Sequence, residues 1–73
     1  MKNKVRGYRT MGGYNQKQLA DILEITPQSL SAKENGRRSF NDFEKVLLLD
    51  LFKEIEPELT IDKLFFDQEV SKS

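Results

Sequence analysis

Residues 15–38 read NQKQLADILEITPQSLSAKENGRR, and this stretch decides the fold. It spells two short helices joined by a tight turn, each with its own start signal. Asn15 is a capping residue, and Gln18 stands three positions on, where a capping-box partner sits. Leu19, Ala20, Ile22 and Leu23 then supply apolar residues at helical spacing. Glu24, Ile25 and Thr26 form the turn. Thr26 caps the second helix, and Pro27 takes its first position, where a missing N–H costs nothing. Leu30 is the apolar anchor of that helix, and Gly36 after Asn35 gives the left-handed stop.

Working outward, residues 2–11 predict a first helix with Val5, Tyr8 and either Met11 or Thr10 on one side. Gly7 weakens it by about 1 kcal/mol relative to Ala, and Gly12-Gly13 end it. The run GYRTMGG lacks the Lys-Ser/Thr ending of a phosphate-binding loop, so these glycines read as a helix stop. Tyr14 precedes the cap and staples onto the apolar face of the next helix. Residues 39–55 predict a fourth helix, capped by Ser39 or Asn41, with Asp42 and Glu44 set against its N-terminal dipole. At 100° per residue Phe43, Val46 and Leu47 share a face that closes the core, whereas Leu48, Phe52 and Ile55 point away. That surplus, with Leu51 and Phe66, predicts a partner or dimer interface; the alternative is that the last helix covers it. Glu56-Pro57-Glu58 breaks the helix, and Thr60 caps a short fifth one whose Ile61, Leu64 and Phe65 return to the core. Residues 67–73 are polar and are expected to fray. The expectation is an all-α fold, a compact bundle of about five helices in one domain over 1–73, with the motif at 15–38 and acidic helices over 40–66.

Seventy-three residues bury only about 60% of their unfolded surface, so stability is modest or shared with a partner. There is no Cys and no His, which removes disulfides, thiolate metal sites and the commonest general base. No cofactor, metal or small-molecule ligand is expected, and no nucleophile–base pair points to an enzyme. No apolar run approaches membrane-spanning length and no signal-peptide pattern opens the chain, so no membrane association is expected and the default address is the cytoplasm. Net charge is zero, but residues 1–40 carry eight Lys or Arg against three Asp or Glu, a balance of +5. Residues 41–73 carry four against nine, a balance of −5. A basic half that faces phosphate is joined to an acidic half that faces water or a basic partner.

The stretch resembles the helix-turn-helix of the Cro and phage-repressor family, often called the XRE family. Gln16 sits where the family opens its first motif helix with Gln, Ala20 at the small-residue crossing, Ile25 at the apolar plug of the turn and Leu30 at the branched position of the second helix. Glu34-Asn35-Gly36 matches the common ENG ending, and Arg9 matches a frequent Arg on the preceding helix. The resemblance covers roughly residues 4–66 and implies a lambda-repressor-like DNA-binding domain. It also implies that Arg9 pairs structurally with Glu34, and that Gln16 touches phosphate while steadying the reading helix. Two positions depart from the pattern. Glu24 replaces the usual turn Gly, so either a strained backbone is tolerated or the turn differs slightly. Lys33 stands where an apolar residue is common, so only its methylene stem can pack.

A helix of this kind enters the major groove with its N-terminal residues toward base edges. Pro27, Gln28, Ser31 and Ala32 are then the base-facing set, with Gln28 suited to a bidentate contact to adenine. Asn15, Gln16, Lys17, Lys33, Asn35, Arg37 and Arg38 are the expected phosphate contacts. The function expected is a sequence-specific transcription regulator that binds a double-stranded operator as a homodimer, cytoplasmic in a bacterial host if phage-encoded. An alternative is an antirepressor that binds a partner repressor protein through the acidic or apolar C-terminal half, and an antitoxin with the same motif is a third.

Overall fold

A computed structural model describes residues 3–66. Five helices follow in order, α1 (Val5–Met11), α2 (Gln16–Leu23), α3 (Pro27–Glu34), α4 (Asp42–Phe52) and α5 (Ile61–Phe65). The expected tail over 67–73 lies outside the described residues. Each helix after the first starts at a side-chain cap. Asn15 and Asn41 close capping boxes with Gln18 and Glu44, and Thr26 and Thr60 accept from the backbone N–H of Ser29 and Lys63. Those bonds satisfy N–H groups that the helix itself leaves open. The first helix starts three residues later than expected, at Val5, whose N–H donates to Asn3 Oδ1 at 3.1 Å. The fourth is shorter than expected at both ends, because Asn41 takes the cap and Ile55 and Glu56 turn back onto the Phe52 carbonyl.

The turn between α2 and α3 hinges on Glu24, which adopts φ 61°, ψ 40°. A side chain in this left-handed region costs roughly 1–2 kcal/mol. The strain is held by two backbone bonds, Glu24 N–H to the Asp21 carbonyl at 3.1 Å and Ile25 N–H to the Ala20 carbonyl at 2.9 Å. Of the two alternatives, the chain takes the strained turn.

The core gathers Val5, Leu19, Ala20, Leu23 and Leu30 from the first three helices, and Leu48, Phe52, Leu59, Leu64 and Phe65 from the rest. Phe40, in the α3–α4 loop, joins it edge-on to Phe65 with centroids 5.5 Å apart. Ile22 is not part of this face and lies exposed. Leu59, in the segment expected only to break the chain, is buried.

The orientation of α4 reverses the expected one. Leu48 and Phe52, expected at an interface, are fully buried, while Phe43 and Val46, expected in the core, are 67% and 56% exposed. The reason is a stripe at intervals of four, Glu44, Leu48 and Phe52, all buried. Phe52 stacks on Tyr8 of α1 at 5.7 Å, and Glu44 finds a buried cation. Both faces of α4 are apolar, so these two directed contacts decide which one turns inward. Leu51 is half-buried, and Ile55 and Phe66 are exposed.

Candidate nucleic-acid interface

α2 and α3 pack as a helix pair, with Leu19, Ala20 and Leu23 of one against Leu30 of the other in the core. What remains outward on α3 is its N-terminal half. Pro27 and Gln28 are exposed, and Ser31 and Ala32 are half-buried at the edge of the same surface. Asn35 closes α3, Gly36 turns with φ 82°, and Arg37 and Arg38 follow, both exposed. Arg38 folds back along α3, with Nη1 3.4 Å from the Ser29 hydroxyl oxygen, which accepts. Ser29 was not among the residues singled out from the sequence. Its link to Arg38 crosses a helix end, which periodicity does not register.

The α2 end of this surface carries Asn15, Gln16 and Lys17. Asn15 is exposed, but its side chain is engaged in the cap, accepting from Gln18 N–H at 2.7 Å. Lys17 is exposed and reaches Asp21 at 3.3 Å, a solvated pair of the kind that contributes little. Gln16 is half-buried, and its Nε2 donates to Glu34 Oε1 at 3.2 Å. That carboxylate is the hub of a network. Arg9 Nε donates to Glu34 Oε2 at 2.7 Å, Arg9 Nη2 to Oε1 at 3.5 Å, and Arg9 Nη1 to the Tyr14 carbonyl at 3.0 Å. The Glu34 side chain is 2% exposed and that of Arg9 12%, so the charges are paired away from water. Helices α1, α2 and α3 are thereby pinned at one point.

Lys33 is a correction. It was expected at phosphate, but it is buried, and its Nζ donates to both carboxylate oxygens of Glu44 at 2.8 Å. A lysine in an apolar position needs a counter-charge, and α4 supplies one. From sequence, Glu44 has only a dipole role at the start of α4; in the structure it is half of this pair. The signal was Lys33 itself, a charged residue at a core position, but nothing local names its partner.

Among the described residues no group of three or more acidic, His or Cys side chains is placed to hold a metal, and no helix is long and apolar enough to cross a membrane.

The exposed α3 N-terminus, the adjoining arginines and the buried anchor together form a surface able to meet a polyanion with a helix held at a fixed angle. A helix-turn-helix family model matches residues 5–57. Searches of curated proteins and of solved structures return no match. The match spans α1 through the segment after α4, the same elements that build this surface, and the chain belongs to the helix-turn-helix family of the Cro and repressor (XRE) type, whose members are DNA-binding transcription regulators rather than enzymes.

Proposed function

We propose that the protein is a sequence-specific operator-binding regulator of the phage Cro and repressor type, reading the major groove with α3. The observation that carries this reading is the outward N-terminal half of α3 beside Arg37 and Arg38. Gln28 reads a base edge through its amide, and Pro27, Ser31 and Ala32 add apolar or single hydrogen-bond contacts. This is a sparse set, so DNA shape contributes to preference. Asn15, Gln16, Lys17, Asn35, Arg37 and Arg38 face phosphates, which give affinity and register. The protein acts as a homodimer on half-sites about one helical turn apart. With Leu48 and Phe52 in the core, its contact surface is the outward face of α4 around Phe43 and Val46.

That same exposed pair, in the acidic half of the chain, favours a second reading as an antirepressor docking on a basic partner repressor. Selection of duplexes from a random pool, followed by fluorescence anisotropy at about 50 and 200 mM salt, separates the two. An operator reader selects a defined site, with affinity falling roughly 10³-fold or more between those salts. Weak, sequence-blind binding rejects the first reading in favour of the second.

A further inference from the structure

We infer that Glu44 is a positioning residue for DNA recognition: through its buried ion pair with Lys33 it sets the rotation of α3 that presents Pro27, Gln28 and Ser31 to the groove. The inference rests on the base-reading role proposed above for α3.

Lys33 and Glu34 are consecutive, so their side chains leave α3 about 100° apart. Glu34 is held by Arg9 and Gln16 from α1 and α2, and Lys33 is held by Glu44 from α4. Two directed contacts at that angle fix the helix against turning about its own axis. The apolar contact at Leu30 does not do this, because burial of a methyl surface is non-directional. A third restraint meets the same turn, where Asn3 Nδ2 donates to the Lys33 carbonyl at 3.0 Å. Glu44 is itself tied to the start of α4. Its Oε1 also accepts from the Asn41 N–H at 2.9 Å, and its own N–H donates to Asn41 Oδ1 at 2.7 Å. The carboxylate is therefore fixed by the start of α4 and passes that position to α3. As a stability device the arrangement is poor, since a buried ion pair is commonly matched or exceeded by an apolar pair of similar volume. What an apolar pair lacks is direction.

The test is the double substitution Lys33→Met with Glu44→Gln. Methionine keeps the unbranched stem that packs in the core, and glutamine keeps the acceptor for the Asn41 N–H. The charge pair and its hydrogen bonds are removed, together with the Lys33 ammonium 6.0 Å from the Phe40 ring, while the two stems and the cap bond stay. Preference is measured as the affinity ratio between a duplex selected by the native protein and a mixed-sequence duplex of the same length, at one salt concentration. The double variant is expected to fold, to bind mixed-sequence DNA as before, and to lose about tenfold or more of the preference, the scale of one misplaced bidentate contact. Leu59→Ala, which removes core volume in the segment between α4 and α5 and leaves Lys33 and Glu44 unchanged, is the control and is expected to keep the preference at a temperature where it is folded. A folded double variant with undiminished preference overturns the inference, as does an equal loss in the control. If the double variant does not fold, Glu44→Asp keeps the charge and shortens the arm by one methylene: a reduced preference supports the inference and an unchanged one overturns it. If the native protein selects no duplex, the base-reading role fails separately. Residual dipolar couplings of α3 against α2 then decide the positioning claim, and an identical orientation in native and double-variant protein overturns it.

Discussion

The two halves of α3 are built in opposite ways. In the N-terminal half Pro27 and Gln28 are exposed, and the side-chain bonds there are the Ser29 N–H donating to the Thr26 hydroxyl and a long contact in which Arg38 donates to the Ser29 hydroxyl. In the C-terminal half Lys33 and Glu34 are both buried, paired with charges from α1 and α4, and Glu34 also accepts from the neutral Gln16 amide of α2. The helix is clamped at one end and open at the other. A helix that reads DNA has to be held firmly without engaging the groups it reads with. Placing the side-chain hydrogen bonds to the other helices in the last turn meets both demands within eight residues.

Three substitutions break or sharpen that contrast. The largest effect is expected at the clamp. Glu34→Ala leaves the Arg9 guanidinium largely buried without its counter-charge, a change that typically costs about 3–5 kcal/mol. The thermal midpoint, followed by circular dichroism, should fall by more than about 10 °C. A loss below about 1 kcal/mol would show that the clamp is not at Glu34. At the open end Gln28→Ala should leave stability within about 0.5 kcal/mol of native, because the side chain is exposed. Binding to the selected duplex should weaken by about 1–3 kcal/mol, with preference relaxed at one base pair. An equal loss on every sequence tested would remove Gln28 from the reading set. The smallest effect is expected at the turn. Glu24→Gly relieves φ 61° but adds freedom to the unfolded chain. The net gain should be about 0.5 kcal/mol in urea unfolding, and a net loss would mean that the Glu24 side chain contributes contacts that outweigh the strain.

The motif was legible because its signals are local. A cap lies within three residues of the N–H it serves, so Asn15, Thr26 and Thr60 could be read from neighbours alone, as could Gly36 at the end of α3. The Arg9–Glu34 pair spans distant positions and was reachable only through the family resemblance. The orientation of the fourth helix is not legible in the sequence, because Phe43, Val46 and Leu47 on one side and Leu48 and Phe52 on the other satisfy the same period. Tyr8 and Lys33 break the tie, and both lie far away in sequence. Lys33 was misplaced for a related reason. Residue type argues for water, and only Glu44 on another helix reverses that. Within α2 and α3, sequence therefore marks which helix face is outward better than it marks which charged residues are.

The backbone bond from the Lys4 N–H to the Leu64 carbonyl, 3.0 Å long, has a consequence for the chain as a whole. It joins the approach to α1 to the last full turn of α5, so nearly the entire described chain forms one closed ring. Closing a loop of that length costs more entropy than any local contact in the molecule, though the cost rises only slowly with length. The closure also leaves Asn3 and Phe66 near each other in space, both lining one shallow cavity with Lys45 and Phe65. In a variant made without residues 1–2 and 67–73, a short peptide bridging these two positions turns the ring into a covalent one. Reopening the chain in the segment after α4 then gives a circular permutant with α2 and α3 unbroken.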